Sequence, residues 1–176
     1  MDDPIIFNDE EFGSNVKPRL KKCGKGVVIY PLAKIIKPEV VEIGDFTEID
    51  DFVFIAGGQG ITIGRYNHIS WFISIIGGGK FVTGDYVSLG AGVRVITGTD
   101  HYKGGKRISP LIPFEHRAVY RCNITLEKDV FIGTNAVIQP SIENPNIIVG
   151  EGAIIGSNSL VTRPVEPWSI NVGSPC

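Results

Sequence analysis

Residues 43–95 read IGDFTEIDDFVFIAGGQGITIGRYNHISWFISIIGGGKFVTGDYVSLGAGVRV. Taken in sixes, the stretch places an apolar residue at the head of each step: Ile43, Ile49, Ile55 and Ile61, then Ile63, Ile69, Ile75 and Phe81, then Leu89 and Val95 after the polar exception Thr83. Working outward, the phase extends back through Val41 and Ile35 to Ile29. It resumes beyond an interruption at Leu126, Ile132 and Ile138, then at Val149, Ile155 and Val161. Glycine often follows directly, as at Gly44, Gly64, Gly84, Gly90, Gly133, Gly150 and Gly156. Small or β-branched residues recur four places on, among them Ala33, Thr47, Val53, Val87, Val93, Ala136, Ala153 and Ser159.

A period of six fits neither an amphipathic helix nor simple strand alternation. It fits a coil with three short sides, in which each side is a brief strand and each corner a turn. The aliphatic at the head of each hexad then points inward and stacks on its equivalent one coil away, at the spacing of paired strands. Glycine serves the corner, where positive φ or close approach is needed. The phase slips by two residues at Val41/Ile43, Ile61/Ile63 and Phe81/Thr83, and each slip is expected to be a slightly longer corner. A β-sandwich would also show short strands and Gly-rich turns, but it has no reason to hold one phase across so much chain.

With 43% hydrophobic and 20% charged residues among 176, the chain can bury a core and is not expected to be disordered. A formal net charge of -2 argues against nucleic acid as the main partner, which would require a basic face. The three cysteines, Cys23, Cys122 and Cys176, show neither a disulfide framework nor a zinc spacing. The acidic N-terminus MDDPIIFNDEEFG is unlike a signal peptide, and no stretch reaches the roughly 20 apolar residues that cross a bilayer. A soluble, cytoplasmic protein is therefore expected. Residues 1–25 lack hexads and read as an N-terminal arm or cap over the open end of the coil; residues 26–176 read as the coil itself, with a loop at about 97–123.

That loop, ITGTDHYKGGKRISPLIPFEHRAVYRCNIT, is where chemistry is expected, since long loops ejected from regular scaffolds are usually functional. The segments IGDFTEIDDFVF, TGDYVSLGAGVRV, LEKDVFIGTNAVI and VGEGAIIGSNSLVTRPV resemble the hexapeptide-repeat acyltransferase family, from about Gly26 to the C-terminus. The resemblance implies a left-handed parallel β-helix, an all-β homotrimer with active sites between neighbouring prisms, and acetyl-CoA as acyl donor. The GTDHY context of His101 is similar to the loop histidine of the galactoside, maltose and xenobiotic acetyltransferase branch, which implies that His101 is the general base. Acyl transfer to a hydroxyl needs such a base and a stabiliser for the oxyanion, and imidazole suits the first task. Asp100 either orients that ring or is an exposed loop acid.

The same resemblance implies that Thr134, Ser157, Thr162 and Arg163 hold CoA, with Arg163 at its phosphates. His68, Trp71, Tyr102 and His116 are candidates for the acceptor site; an aromatic wall such as Trp71-Phe72 suits a sugar face but equally suits subunit packing. Two departures stand out. The family's closing segment continues into a basic residue, whereas this sequence ends at Cys176, and SIENPNIIVG is longer than a usual corner and is expected to bulge beside the cofactor. The expected function is acetylation of a sugar or glycan precursor, on oxygen, with N-acetylation of a nucleotide-linked amino sugar as the alternative. A metal hydratase of the γ-carbonic-anhydrase type would need three converging histidines, and His68, His101 and His116 are widely spaced. A non-enzymatic scaffold on the same coil would not bind CoA.

Overall fold

The computed structural model describes residues 12–101 and 106–176. Three parallel sheets of six, seven and six strands wrap into a triangular tube, a parallel β-helix. The first face carries Lys22–Cys23, Val41–Ile43, Gly60–Ile63, Lys80–Thr83, Asn123–Leu126 and Asn146–Val149. The second begins at Val28–Ile29 and runs through Glu48–Ile49, His68–Ile69, Ser88–Leu89, Phe131–Ile132 and Ile154–Ile155 to Ile170–Asn171. The third runs from Lys34–Ile36 through Phe54–Ala56, Ser74–Ile76, Arg94–Ile96 and Val137–Ile138 to Leu160–Val161.

Hexad heads stack as the repeat predicts. Ile29, Ile49, Ile69, Leu89, Ile132 and Ile155 form one inward column in register, each at most 1% exposed. Burying such a side chain contributes roughly 1.5–3 kcal/mol, and equivalent columns line the other two faces. Thr83 joins the interior although polar, because its Oγ1 accepts a hydrogen bond from the Gly64 amide at 3.0 Å.

The two-residue slips have a different origin from the longer corner expected of them. Val41 and Ile43 lie in one strand with the partly exposed Glu42 between them, and both are buried. The first face is thus wider by a dipeptide and presents two inward residues per coil. Nor does the glycine after each hexad head carry the positive φ. That conformation falls two residues later, on Phe46, Tyr66 and Tyr86 at one edge and on Phe52 and Phe72 at another. Their rings stack at 5.1–5.4 Å, worth about 0.5–1.5 kcal/mol per pair against the strain of a bulky left-handed residue. Glycine is needed for close approach instead: a Cβ on Gly64 would sit 2.1 Å from the Gly84 carbonyl oxygen.

The coil starts earlier than Gly26, since Lys22–Cys23 already pairs with Glu42–Ile43. Ahead of it, Val16 and Leu20 pack on the core and Phe12 is buried beside Tyr30, with ring centroids 4.9 Å apart. The interruption after Val95 is an antiparallel hairpin, Gly98–Asp100 against Val119–Arg121, with Thr99 opposite Tyr120. Its stems leave through a gap made by the Gly77–Gly79 run: a Cβ on Gly79 would meet the Cys122 and Thr97 carbonyl oxygens at 2.1 and 2.3 Å. Thr97 closes the neck, its hydroxyl donating to Ile76 O and accepting from Gly79 N.

Candidate functional site

The corner between the second and third faces forms an exposed ledge. Trp71, Ala91, Thr134 and Ser157 stack there, one per coil, tied by backbone bonds from Gly92 to Trp71 O, from Asn135 to Ala91 O and from Asn158 to Thr134 O. Trp71 is 53% exposed at its upper end; below it the side chains shrink to methyl and hydroxyl groups. Thr134 and Ser157 are both exposed. Arg94 braces the corner from the third face, its Nη1 donating to the carbonyls of Phe72 at 2.6 Å and Gly92 at 2.7 Å.

Beside the ledge, on the outer side of the second face, His68 lies in register between Glu48 and Ser88. Its Nε2 is 3.1 Å from Asp50 Oδ2, and the Asp50 side chain is only 5% exposed. The carboxylates of Glu48 and Asp50 and the His68 ring converge within 4.8 Å. Neither Glu48 nor Asp50 was expected from the sequence. The signal was present in the coil length: with one turn every 20 residues, Glu48 must stack beneath His68.

The hairpin lies at another edge, where the third face gives way to the first. His101 donates its backbone N–H to Ala118 O at 2.6 Å. Asp100 is not an exposed loop acid. Arg117 grips both its oxygens through Nη2, at 2.7 and 2.9 Å, and donates a third bond from Nε; the two side chains are 8% and 15% exposed. Removing either partner of such a pair would strand a poorly solvated charge, so the pair locks the hairpin base. His116 ends a short helical turn, Phe114–His116; its backbone bonds Pro113 and Arg107 while its ring is exposed. Tyr102 lies outside the described residues. A depression of about 290 Å³ opens next to the hairpin, lined by Tyr120, by Ser141, Ile142 and Glu143 of the long corner, and by Leu160 and Thr162. The long corner SIENPNIIVG thus borders this depression, and Thr162 lines the same space, with the exposed Arg163 adjacent in the chain.

The residues singled out in the sequence thus fall into two groups. His68, Trp71, Thr134 and Ser157 share the ledge edge; His101, His116, Thr162 and Arg163 share the hairpin edge. The third face separates them within one chain.

No family model matches the sequence. The dTDP-4-amino-4,6-dideoxy-D-glucose acyltransferase of Escherichia coli is 34% identical over 156 residues, which is 88% of this chain and 79% of that protein. The chain is a hexapeptide-repeat acyltransferase. AntD, an N-acyltransferase from Bacillus cereus solved with dTDP and 3-hydroxybutyryl-CoA, superimposes with a TM-score of 0.83 at 31% identity, over 96% of this acyltransferase and 85% of AntD. The galactoside O-acetyltransferase of Escherichia coli K12 matches a shorter stretch, 34% identical over 58 residues, a third of this chain and 26% of its own. The tube of this acyltransferase is accordingly the left-handed parallel β-helix expected from the hexads. Among the described residues, no helix of the acyltransferase is long and apolar enough to cross a membrane.

Proposed function

We propose that the enzyme transfers an acyl group from acetyl-CoA or a related acyl-CoA to the amino group of a nucleotide-linked amino sugar. The ledge is the observation that carries this reading: a strip of small side chains, two of them exposed hydroxyl residues, ending at an exposed indole. It suits a flexible pantetheine arm below and a sugar ring above. The acceptor class is supported by the near full-length likeness to an acyltransferase of dTDP-4-amino-4,6-dideoxy-D-glucose and by the dTDP and acyl-CoA bound to AntD.

In this reading Thr134 and Ser157 hold the pantetheine, and Thr162 with Arg163 meets the nucleotide end, where a guanidinium suits phosphate. His68, Trp71, Tyr102 and His116 serve the acceptor, and His101 is the base that a hydroxyl acceptor would require and an amine that is already free would not. Because the two groups of residues occupy different edges, one protomer's hairpin is expected to serve its neighbour's ledge, so the working unit is a homotrimer. The three free cysteines suit a reducing compartment, the cytoplasm.

O-acetylation of a saccharide is the second reading, favoured by the TGTDHY context of His101 and the likeness to the galactoside enzyme. A thiol-release assay with acetyl-CoA and 3-hydroxybutyryl-CoA, run against dTDP-4-amino-4,6-dideoxyglucose and simple galactosides, separates the two. Turnover of the amino sugar alone, with His101→Ala costing less than about 10-fold, supports the first reading. A loss on the order of 10²–10⁴-fold with a hydroxyl acceptor supports the second. No CoA release with any acceptor would remove both.

A further inference from the structure

We propose that His68, backed by Asp50 and Glu48, is the receptor and first base for the acceptor's ammonium group. This inference rests on the amino-sugar reading above and assigns the atom that takes the proton.

A free amine must be generated before nitrogen can attack a thioester, and an amino group of ordinary basicity, titrating near pH 8 as an α-amino group does, is largely ammonium at neutral pH. The site therefore needs negative charge to attract that cation and a neutral base to relieve it of a proton. The second face supplies both next to the ledge. Asp50 is the residue at which the chain turns into the corner that bears Trp71 one coil later, and its carboxylate is almost fully buried. Asp50 Oδ2 engages His68 Nε2, which leaves Nδ1 as the nitrogen that can accept. The imidazole itself is 48% exposed, within reach of an incoming group. Glu48 stacks on the His68 strand position from the preceding coil, and the uncharged Ser88 from the following one. Asp51 shares the Trp71 column, its Oδ1 accepting from Leu32 N, and Arg94 stands across the corner, its Nη1 occupied with the carbonyls of Phe72, Gly92 and Val93. The electrostatic balance at this spot is anionic, which favours an ammonium and disfavours a diphosphate. The nucleotide end of the acceptor should then extend away from it.

The chemistry balances without a further reactant. The ammonium gives one proton to His68 Nδ1, and the imidazolium formed is stabilised by Asp50 before it releases that proton to solvent. The nitrogen lone pair forms the C–N bond to the thioester carbon while the carbonyl π pair moves to oxygen. When the oxyanion collapses, the C–S bond breaks, and the nitrogen's surplus proton ends on the thiolate as CoA thiol.

The test uses the full-length protein with dTDP-4-amino-4,6-dideoxyglucose and acetyl-CoA, in His68→Gln and Asp50→Asn, each checked for a wild-type melting temperature. The expected result is a loss of kcat/KM on the order of 100-fold at about pH 6.5. That loss should shrink to under about 10-fold near pH 9, where the amine is already free. Calorimetric binding without acyl donor gives a second readout: wild type should prefer the amino sugar over its 4-hydroxy counterpart, and both variants should lose that preference. If wild type does not turn over the amino sugar, the functional reading fails. If wild type does and the variants match it at low pH, or lose activity equally at every pH, the base assignment alone is overturned. Metal bound stoichiometrically through these residues, with activity abolished by chelation, would overturn it in favour of a cation site.

Discussion

Phe81 offers the sharpest test of how the tube is held together. Among the described residues it is the largest side chain with no exposed surface, and it stacks in register between Ile61 and Ile124. Phe81→Ala deletes a ring that neighbouring coils cannot easily fill, because each is fixed by its own backbone ladder. Large-to-small core changes of this kind cost about 3–5 kcal/mol. In a chain of this length each kcal/mol lowers Tm by roughly 2–4 °C, so a fall of about 6–20 °C is expected. Val82, the next residue, points outward and is 37% exposed, so Val82→Ala should cost under about 1 kcal/mol. Thermal unfolding followed by far-UV circular dichroism, at one fixed protein concentration, measures both. Equal losses for the two variants would refute the inward/outward assignment on which the fold argument depends.

Two further outcomes follow from the corners. Gly64→Ala would drive a Cβ to 2.1 Å from Gly84 O and 2.4 Å from its carbonyl carbon, both backbone atoms, so the loss should exceed the roughly 1–3 kcal/mol of ordinary overpacking, read as reduced soluble yield and Tm. Acid should weaken the coil-to-coil bridge in which Arg65 hydrogen-bonds Asp85 and holds its carboxyl below the usual range, aided by the Arg65 amide. A depressed carboxylate stabilises the fold above its unfolded pKa and loses that contribution as pH falls through the folded value. Wild type should therefore lose slightly more Tm than Asp85→Asn between about pH 5 and pH 2.5, an effect kept small by solvent screening and measurable by scanning fluorimetry.

The architecture was legible because the inward positions admit only apolar or satisfied side chains, and the head of each hexad repeats that mark from coil to coil. Its finer features were not. A slip at Val41/Ile43 looks alike in sequence whether the extra dipeptide sits in a corner or in a strand; only the register, with Glu42 opposite Thr62, decides for the strand. Positive φ on Phe46 and Tyr66 was hidden for a related reason. Propensity assigns that conformation to glycine, and the ring stacking that offsets its cost exists only between coils.

The hairpin has no repeat, so nothing in its composition announces that Arg117 closes on Asp100 across 17 residues. The pairing of His68 with Asp50 is a different case. It spans 18 residues, two short of a coil: the coil length brings Glu48 directly beneath His68 and Asp50 to the adjoining corner, within reach of the ring. Chemistry-bearing residues on the regular faces can thus be located by arithmetic, whereas those on the hairpin require coordinates. The division has a functional edge. The ledge and the His68–Asp50 pair belong to the regular ladder, whose backbone hydrogen bonds fix their geometry. The hairpin carries His101 on a segment free to vary without disturbing the core. A single repeat architecture serves both N- and O-acyltransferases among the relatives of this chain, so the difference between them must lie in the side chains placed on the tube and not in the tube itself.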